Sequence, residues 1–190
     1  MRKIPTVFVR DPETNLRHVR DEVTPSCEWV LADEGIATRK YDGTCCSFDG
    51  TAWWVRREVK PDKSPPPNFV PVERDEVTGK TVGWEPADQS GFAKFLTEAA
   101  ERVGGWSEGT YELCGPKVNG NPEGYEVHVL IDHDRDTMRV DAPRDFDGLR
   151  AWLLAHEYEG IVWHHDDGRM AKLKKRDFAA ASSGIEEHRP

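Results

Sequence analysis

Short runs of strand-forming residues separated by turn dipeptides constrain the fold of this chain more than any other feature. The clearest pair is "TCCSF" and "TAWWVRR", which are joined through Asp49-Gly50. A two-residue Asp-Gly loop is typical of a tight β-hairpin, because both of its positions tolerate a positive φ angle. A second such dipeptide, Asp167-Gly168, separates "EGIVWHH" from "RMAKLKK". The pattern therefore predicts antiparallel β-structure.

Two segments predict helices that accompany these strands. Apolar residues recur at helical spacing over roughly 91–103, and a similar pattern spans about 145–157. Further strands are predicted within 28–57, at 109–115 and at 124–134. Short antiparallel strands with two helices indicate an α+β fold, not a doubly wound parallel sheet.

The pattern along the chain predicts one domain with two appendages. A chain of 190 residues is long enough to bury a substantial core. We expect a single domain over residues 1–178. Within it, segment 60–90 is rich in proline and charge, which predicts a long surface excursion. Residues 179–190 are expected to form a flexible tail.

Composition argues against several classes of protein. The formal net charge of −9 disfavours a protein that coats nucleic acid nonspecifically. No apolar run is long enough to span a bilayer, and "MRKIP" lacks the apolar stretch of a signal peptide. We therefore expect a cytoplasmic protein without membrane partners. The four cysteines show no CxxC spacing, which predicts reduced thiols and gives no support to a zinc site.

Residues that could carry chemistry follow one another in a definite order. They are Lys40 and Asp42-Gly43 in "KYDG", Arg56 in "TAWWVRR", Glu112 in "TYELCG", Glu159 in "EGIVW", and Lys172 and Lys174 in "AKLKK". Lys172 and Lys174 are two positions apart in a predicted strand, so both side chains leave on the same face. A lysine beside a turn is usually just solvated, and it is the order of the whole set that is informative.

This order resembles the motifs of the covalent nucleotidyltransferase superfamily, which holds ATP-dependent DNA and RNA ligases and mRNA-capping guanylyltransferases. "KYDG" resembles motif I, Arg56 motif Ia, "YELCG" motif III, "EGIVW" motif IV and "KLK" motif V. Within the superfamily, "KYDGTCC", "YELCGPKVNGNP", "EGIVWHHDDG" and "KLKKRDF" are similar to the small RNA ligases related to the vertebrate 5′-3′ RNA ligase. The resemblance covers about residues 27–178 and implies an adenylation domain of antiparallel sheets with flanking helices.

The resemblance implies that the protein seals RNA ends through a covalent intermediate. Lys40 would attack the α-phosphorus of ATP, release pyrophosphate and hold AMP through a phosphoramidate bond. AMP would then pass to an RNA 5′-phosphate, and a 3′-hydroxyl would displace it. The implied cofactors are ATP and Mg²⁺, with Mn²⁺ as an alternative metal. The implied partner is RNA with 5′-phosphate and 3′-hydroxyl ends, while a protein partner is not specified.

The chemistry explains why further cations are needed. A lysine with an ordinary pKa of about 10.4 is neutral in only about one part in a thousand near pH 7.4. Making it half-neutral requires about 4 kcal/mol, which one cation about 4 Å away supplies at an effective dielectric near 20. Lys172, Lys174 or a bound metal could provide that cation. By resemblance, the two lysines would also hold the α-phosphate oxygens.

The resemblance assigns the other residues to the metal or to the nucleotide. Glu159 would position Mg²⁺ through water or orient the lysine, and Glu112 is a second candidate for the metal. Glu112 and Arg56 would lie near the ribose and the phosphates. Asp42 would serve either the metal or the geometry of the turn. Gly43 would let the backbone approach closely.

Simpler interpretations of several residues stay open. His128 lies where relatives place a ring that stacks on the nucleobase, but an ordinary strand histidine fits as well. Lys172–Arg176 could be a solvated edge strand protected by charge, and Glu112 the buried partner of an arginine. Asn119 and Asn121 are turn formers first. For the whole protein, the alternatives are a DNA ligase, a capping-type guanylyltransferase and a non-catalytic nucleotide-binding module.

Overall fold

The computed structural model describes residues 2–13, 15–76 and 78–178. The chain divides into two compact units. The first unit comprises Met1–Ile4 and Ala37–Val140, and the second comprises Pro5–Ile36 and Asp141–Pro190. The tail predicted at 179–190 lies outside the described residues.

Strands dominate the described chain, and helices are few. In chain order, the strands are β1 (Phe8–Asp11), β2 (Asn15–Val23), β3 (Ile36–Lys40), β4 (Thr44–Phe48), β5 (Trp53–Val59), β6 (Val70–Arg74), β7 (Thr81–Pro86), β8 (Gly109–Cys114), β9 (Val129–Asp132), β10 (Gly160–His164) and β11 (Met170–Lys174). The helices are α1 (Glu28–Leu31), α2 (Ala93–Val103) and α3 (Phe146–Ala155), with short 3₁₀ turns at Ala87–Gln89 and Lys175–Asp177. The predicted α+β class and both predicted amphipathic helices are confirmed.

The first unit is built on a six-stranded sheet with the order β6-β7-β5-β4-β8-β9, in which every neighbouring pair is antiparallel. The hairpin predicted at Asp49-Gly50 joins β4 to β5, but Phe48 pairs with Trp53, so the loop has four residues and not two. Its extra length is stabilised by Asp49, whose Oδ1 accepts hydrogen bonds from the backbone N–H groups of Thr51 and Ala52 at 2.9 and 2.8 Å.

The two faces of this sheet differ in polarity. Cys46, Val55 and Tyr111 lie on one face, where they form a core with Leu96 and Ala99 of α2. Side chains alternate along a strand, so the neighbours of the core residues point to the opposite face. That opposite face carries three polar side chains in adjacent strands: Cys45, Arg56 and Glu112.

The second unit contains two antiparallel hairpins, β1–β2 and β10–β11. In the second hairpin, Gly160 pairs with Lys174. The free side of β11 is covered by Pro5–Val7, because the N–H of Val7 donates to Lys172 O and the N–H of Lys172 donates to Pro5 O, both at 2.9 Å. β11 is the outermost strand of its sheet, and this isolated bridge covers its outer side at Lys172, so the edge-strand interpretation of the basic run stays open.

Two local predictions are also corrected by the structure. Segment 60–90 is not simply a surface excursion, because it supplies β6 and β7, and β7 lies inside the sheet between β6 and β5. The run "EWVLAD" was predicted to be a strand, but Glu28–Leu31 form one helical turn. Consecutive residues Trp29 and Val30 are both buried there, which a helical turn allows and a strand with one covered face does not.

Candidate functional site

Lys40 is the last residue of β3 and begins the turn that leads into β4. Its side chain is partly buried, and its ammonium group donates a hydrogen bond to the carbonyl oxygen of Tyr41 at 3.2 Å. The guanidinium of Arg39 lies over the ring of Tyr41, 4.6 Å from its centroid. The predicted nucleophile is therefore held in a structured turn.

Two residues of a distant loop hold this turn in place. Glu123 accepts a hydrogen bond from the N–H of Asp42 at 2.8 Å and forms an ion pair with Arg39, and only 4% of its side chain is exposed. The side-chain amide of Asn119 donates to Asp42 Oδ1 at 3.2 Å and to Gly43 O at 2.7 Å. Asn119 also has a φ of 49°, so it forms a turn and at the same time contacts the predicted site.

Gly43 lies directly against β8. Its N–H donates a hydrogen bond to Glu112 Oε1 at 3.1 Å. A Cβ atom on Gly43 would lie 2.3 Å from the carbonyl oxygen of Leu113 and 2.8 Å from Cys114 Sγ. The close approach expected at this glycine is thus an approach to the neighbouring backbone, and only glycine permits it.

Glu112 is buried, with 8% of its surface exposed, and it has two partners. Oε1 accepts from Gly43, and Oε2 lies 3.2 Å from Nε2 of His133. The other ring nitrogen of His133 lies 3.0 Å from the hydroxyl of Thr110. Among the described residues, these hydrogen-bond partners include no arginine, so the interpretation of Glu112 as the partner of an arginine is wrong.

The structure distinguishes Arg56 from its neighbour Arg57. Arg56 lies on the polar face of the sheet with Glu112, and its buried Nε has no hydrogen-bond partner among the described residues. Arg57 lies on the other face and pairs with Glu85 at 3.6 Å. A buried unpaired donor is uncommon in proteins, and an anionic ligand would satisfy it.

The cysteine thiols around this turn have low reactivity. Burial raises the pKa of Cys45 to about 12, with the charge of Glu112 adding to the effect and Arg56 opposing it. Burial also raises the pKa of Cys46 and of Cys114. Because the thiolate is the reactive form of cysteine, these side chains are packing residues and not candidate nucleophiles.

His128 lies on the α2 side of the sheet, away from the polar face. Its ring stacks on Phe95 with centroids 4.7 Å apart. Nε2 accepts a hydrogen bond from the N–H of Lys117 at 3.4 Å, so Nδ1 carries the proton and donates to Glu98 at 3.0 Å. Both ring nitrogens and one ring face are thus already used within the protein. We therefore leave His128 out of the proposed nucleotide site.

In the second unit, Glu159 and Lys174 form a close ion pair. Lys174 Nζ lies 2.5 Å from Glu159 Oε1, and their side chains are 15% and 9% exposed. Asp177 accepts from the backbone N–H of Lys174 at 2.9 Å and from Arg10 at 2.8 Å, which fixes the end of β11. Lys172 leaves β11 on the same face as Lys174, while Ala171 and Leu173 are buried.

The predicted site residues thus fall into two groups. Within the first unit, hydrogen bonds connect the turn of Lys40, Asp42 and Gly43 to Glu112, and Arg56 shares the polar face. Within the second unit, Glu159 contacts Lys174. Across the described ranges, no three His, Cys, Asp or Glu side chains are grouped so that they could hold a metal ion.

Comparison with known proteins places this chain among RNA-ligase-like proteins. A family model described as RNA ligase 1 matches residues 87–182. RNA ligase 1 of Rattus norvegicus is 26% identical over 258 residues, with 92% of this chain and 79% of the relative covered. The protein of the same name from Mus musculus gives the same values. RNA ligase 1 of Danio rerio is 38% identical over 76 residues, which are 36% of this chain and 23% of the relative.

Because the family model matches half of the chain, the protein belongs to the RNA ligase 1 family. The matched segment contains Glu112, Glu159, Lys172 and Lys174. Each helix in the described part of the chain is too short or too polar to serve as a membrane span.

Proposed function

We propose that this protein is an ATP-dependent RNA ligase that joins an RNA 5′-phosphate to a 3′-hydroxyl, with Lys40 as the residue that carries AMP. The observation that supports it most is the turn after Lys40. In a chain of the RNA ligase 1 family, a partly buried lysine ends a strand, and the next residues are fixed by Glu123, Asn119 and Glu112. A nucleophile needs such a fixed position to meet the phosphorus in line.

The reaction proceeds in three transfers. The neutral amine of Lys40 attacks the α-phosphorus of ATP, a nitrogen–phosphorus bond forms, the bond to pyrophosphate breaks, and the nitrogen releases one proton. An oxygen of the RNA 5′-phosphate then attacks the same phosphorus, and the lysine amine leaves and regains its proton. Finally, the RNA 3′-hydroxyl attacks the 5′-phosphate, loses its proton, and expels AMP.

Arg56 and Glu112 bind the nucleotide in this proposal. The unpaired Nε of Arg56 donates to a phosphate oxygen, which removes the cost of a buried donor without a partner. Glu112 accepts a hydrogen bond from a ribose hydroxyl, because an ionised carboxylate has more acceptor positions than its two contacts use. Asp42 belongs to the geometry of the turn, since it is bonded to Glu123 and Asn119.

The residues of the second unit are proposed to bind and neutralise the negative charge of the phosphates. Lys172 and Lys174 bind oxygens of the transferred phosphate and stabilise the charge that develops as pyrophosphate leaves. Mg²⁺ is usually bound by one or two carboxylates together with substrate phosphates, so its site does not require a preformed cluster of carboxylates. Glu159 is the first candidate ligand, and Glu112 is the second. When bound, Mg²⁺ would neutralise phosphate charge. Mn²⁺ is the alternative metal.

The cytoplasmic location of the protein stays a prediction.

The proposal is tested by transfer of label from α-labelled ATP to the protein. We expect Lys40→Ala to abolish acid-stable labelling, and intact mass to show one added AMP in the wild type only. Lys94→Ala is the matched control, because Lys94 is an exposed lysine of α2, and it should label normally. Labelling retained in Lys40→Ala would contradict the assignment of the nucleophile.

The same assay separates the related activities. Label taken from GTP in place of ATP would indicate a capping-type guanylyltransferase. Ligation of matched RNA and DNA ends then distinguishes an RNA ligase from a DNA ligase. A protein that binds ATP but never becomes labelled would be a non-catalytic binding module.

A further inference from the structure

Three aromatic rings at the end of α3 form a partly exposed cluster in the second unit. Trp152 stacks on His156, with ring centroids 3.8 Å apart and planes 20° from parallel. Tyr158 lies 5.8 Å from Trp152 and 5.4 Å from His156. Nδ1 of His156 donates to the carbonyl oxygen of Trp152 at 2.7 Å, which fixes this ring. We call Trp152, His156 and Tyr158 the aromatic platform.

The platform continues the packed face of α3 at the end of the helix, where its rings are less buried than Leu149 and Leu153. The buried residues of α3 are Leu149 and Leu153, and Phe146 at the start of the helix packs on Phe8 and Phe178. Trp152, His156 and Tyr158 each keep part of their surface exposed, and Leu154 nearby is 48% exposed. Exposed aromatic surface grouped in this way marks a binding site more often than isolated apolar residues do.

One cation, Lys175, contacts the platform, and a second, Arg176, follows it in the chain. Lys175 Nζ donates to the carbonyl oxygen of His156 at 3.0 Å, and its backbone N–H donates to Glu159 O at 2.8 Å. The side chain of Arg176 is 73% exposed and lies 4.0 Å from Glu159. Glu159 is already in close contact with Lys174, and Glu157 is the exposed carboxylate next in the chain to His156.

We propose that the aromatic platform stacks on an unpaired base of the RNA substrate while Lys175 and Arg176 bind the phosphates beside that base. The inference rests on the proposed function and extends it, because it assigns an RNA contact apart from the residues that transfer AMP. Every base presents an apolar ring face, and proteins that hold single strands combine aromatic rings with nearby cations. Bases inside an A-form duplex are stacked on one another, so the platform selects an unpaired segment near the end to be joined.

The charge of the whole chain favours a local site over a long groove. With a net charge of −9, the protein does not attract a polynucleotide along its whole surface. Two cations together with three rings are enough to hold one or two nucleotides. We therefore expect binding with a weak dependence on salt.

The test measures fluorescence anisotropy of a labelled single-stranded oligouridine of about 12 nucleotides with the full chain and without ATP. Trp152→Ala and Tyr158→Ala should each weaken binding about tenfold. Trp152→Phe keeps a stacking ring and should restore most of the affinity. Leu154→Ala is the matched control, because this residue is exposed on the same helix but lies outside the platform. Thermal melting of each variant checks that weaker RNA binding is not caused by loss of the folded structure.

The contribution of charge is measured separately. Arg176→Gln should reduce the slope of log affinity against log salt by about 0.7, the value for one phosphate contact on a single strand. Lys94→Gln removes the same charge from α2 and should leave the slope unchanged.

Two results would overturn the inference. One is wild-type affinity in both Trp152→Ala and Tyr158→Ala, and the other is equal affinity for fully paired RNA of the same length. Since this assay contains no ATP, it is independent of whether Lys40 carries AMP. If the wild-type protein never takes up AMP, but Trp152→Ala still weakens RNA binding, the ligase mechanism is disproved. The inference that the platform binds RNA then stands.

Discussion

Lys40 owes its position to polar contacts that converge on Asp42 and Gly43. Glu123 and Asn119 bind this turn from one loop, and Glu112 binds it from β8. Glu123 is almost fully buried, and its charge is balanced by Arg39. A buried carboxylate without such a partner would be strongly destabilising. The turn is therefore a connected network, in which a change at one residue disturbs the others.

Gly43→Ala tests how closely the turn must approach β8. The added methyl would lie 2.3 Å from the backbone oxygen of Leu113, which cannot move without distorting the sheet. We expect the free energy of unfolding to fall by about 2–3 kcal/mol and AMP labelling to fall with it. Gly91→Ala is the matched control, because no atom lies within 4 Å of its added Cβ. Urea unfolding compares the two variants, and equal midpoints would contradict the steric role of Gly43.

The sequence predicted some of these residues and not others for a physical reason. Lys40, Asp42 and Gly43 form a local motif, and a turn depends on residues that are adjacent in the chain. Glu123 reaches Asp42 across 81 positions, and no periodicity encodes such a contact. His133 was missed for the same reason, since the register of β8 and β9 places it beside Glu112. Its position inside the strand predicted at 124–134 was the only signal.

At the scale of elements, β7 is a strand that the hydrophobic pattern of the sequence did not predict. Val82 and Gly83 are both buried, and the ring of Phe69 lies directly against Gly83. Such a strand lacks the alternation of a strand with one exposed face. Proline and charge on both sides of it predicted a surface excursion, although the short strand they flank is an inner one. The Asp49 hairpin and helices α2 and α3 were predicted because turn residues and helical periodicity are local signals.

Hydrogen exchange tests the inner position of β7. Its backbone has partners on both sides, while β6 is at the edge and pairs only with β7 in this sheet. We expect amides of Thr81–Pro86 to exchange much more slowly than those of Val70–Arg74, because inner strands open only in larger unfolding events. Mass spectrometry of peptic fragments measures both segments in one sample. Faster exchange in β7 than in β6 would show that the segment is the loose excursion that its composition suggests.

At the scale of the whole molecule, the second unit is assembled from the two ends of the described chain. Pro5–Ile36 and the segment that begins at Asp141 are separated in sequence by most of the first unit. They meet where Pro5–Val7 pairs with β11 and where the ring of Phe8 lies 4.9 Å from that of Phe146. The pattern of short strands and two helices predicted the α+β class, but not this division, because neither that pattern nor motif order carries information on which distant segments pack together.

Arg144 forms hydrogen bonds between these two segments. Replacing it tests how much those bonds contribute to the stability of the unit. Its guanidinium donates to the carbonyl oxygens of Val30, Glu34 and Gly35 at 3.1, 2.9 and 3.1 Å, across more than 100 positions of sequence. Arg144→Lys keeps the charge but loses the planar set of donors, so at least two of these bonds are lost. We expect the free energy of unfolding to fall by about 2 kcal/mol.

Arg150→Lys is the matched control for Arg144→Lys. Arg150 lies on α3 and makes no hydrogen bond or ion pair with any residue that the structure describes, so its replacement should change stability by less than about 0.5 kcal/mol. Urea unfolding, followed by tryptophan fluorescence, measures both variants. Trp29 and Trp163 are buried in the second unit and contribute to this signal. Equal midpoints for the two variants would show that packing of β11 and α3 joins the segments without the arginine.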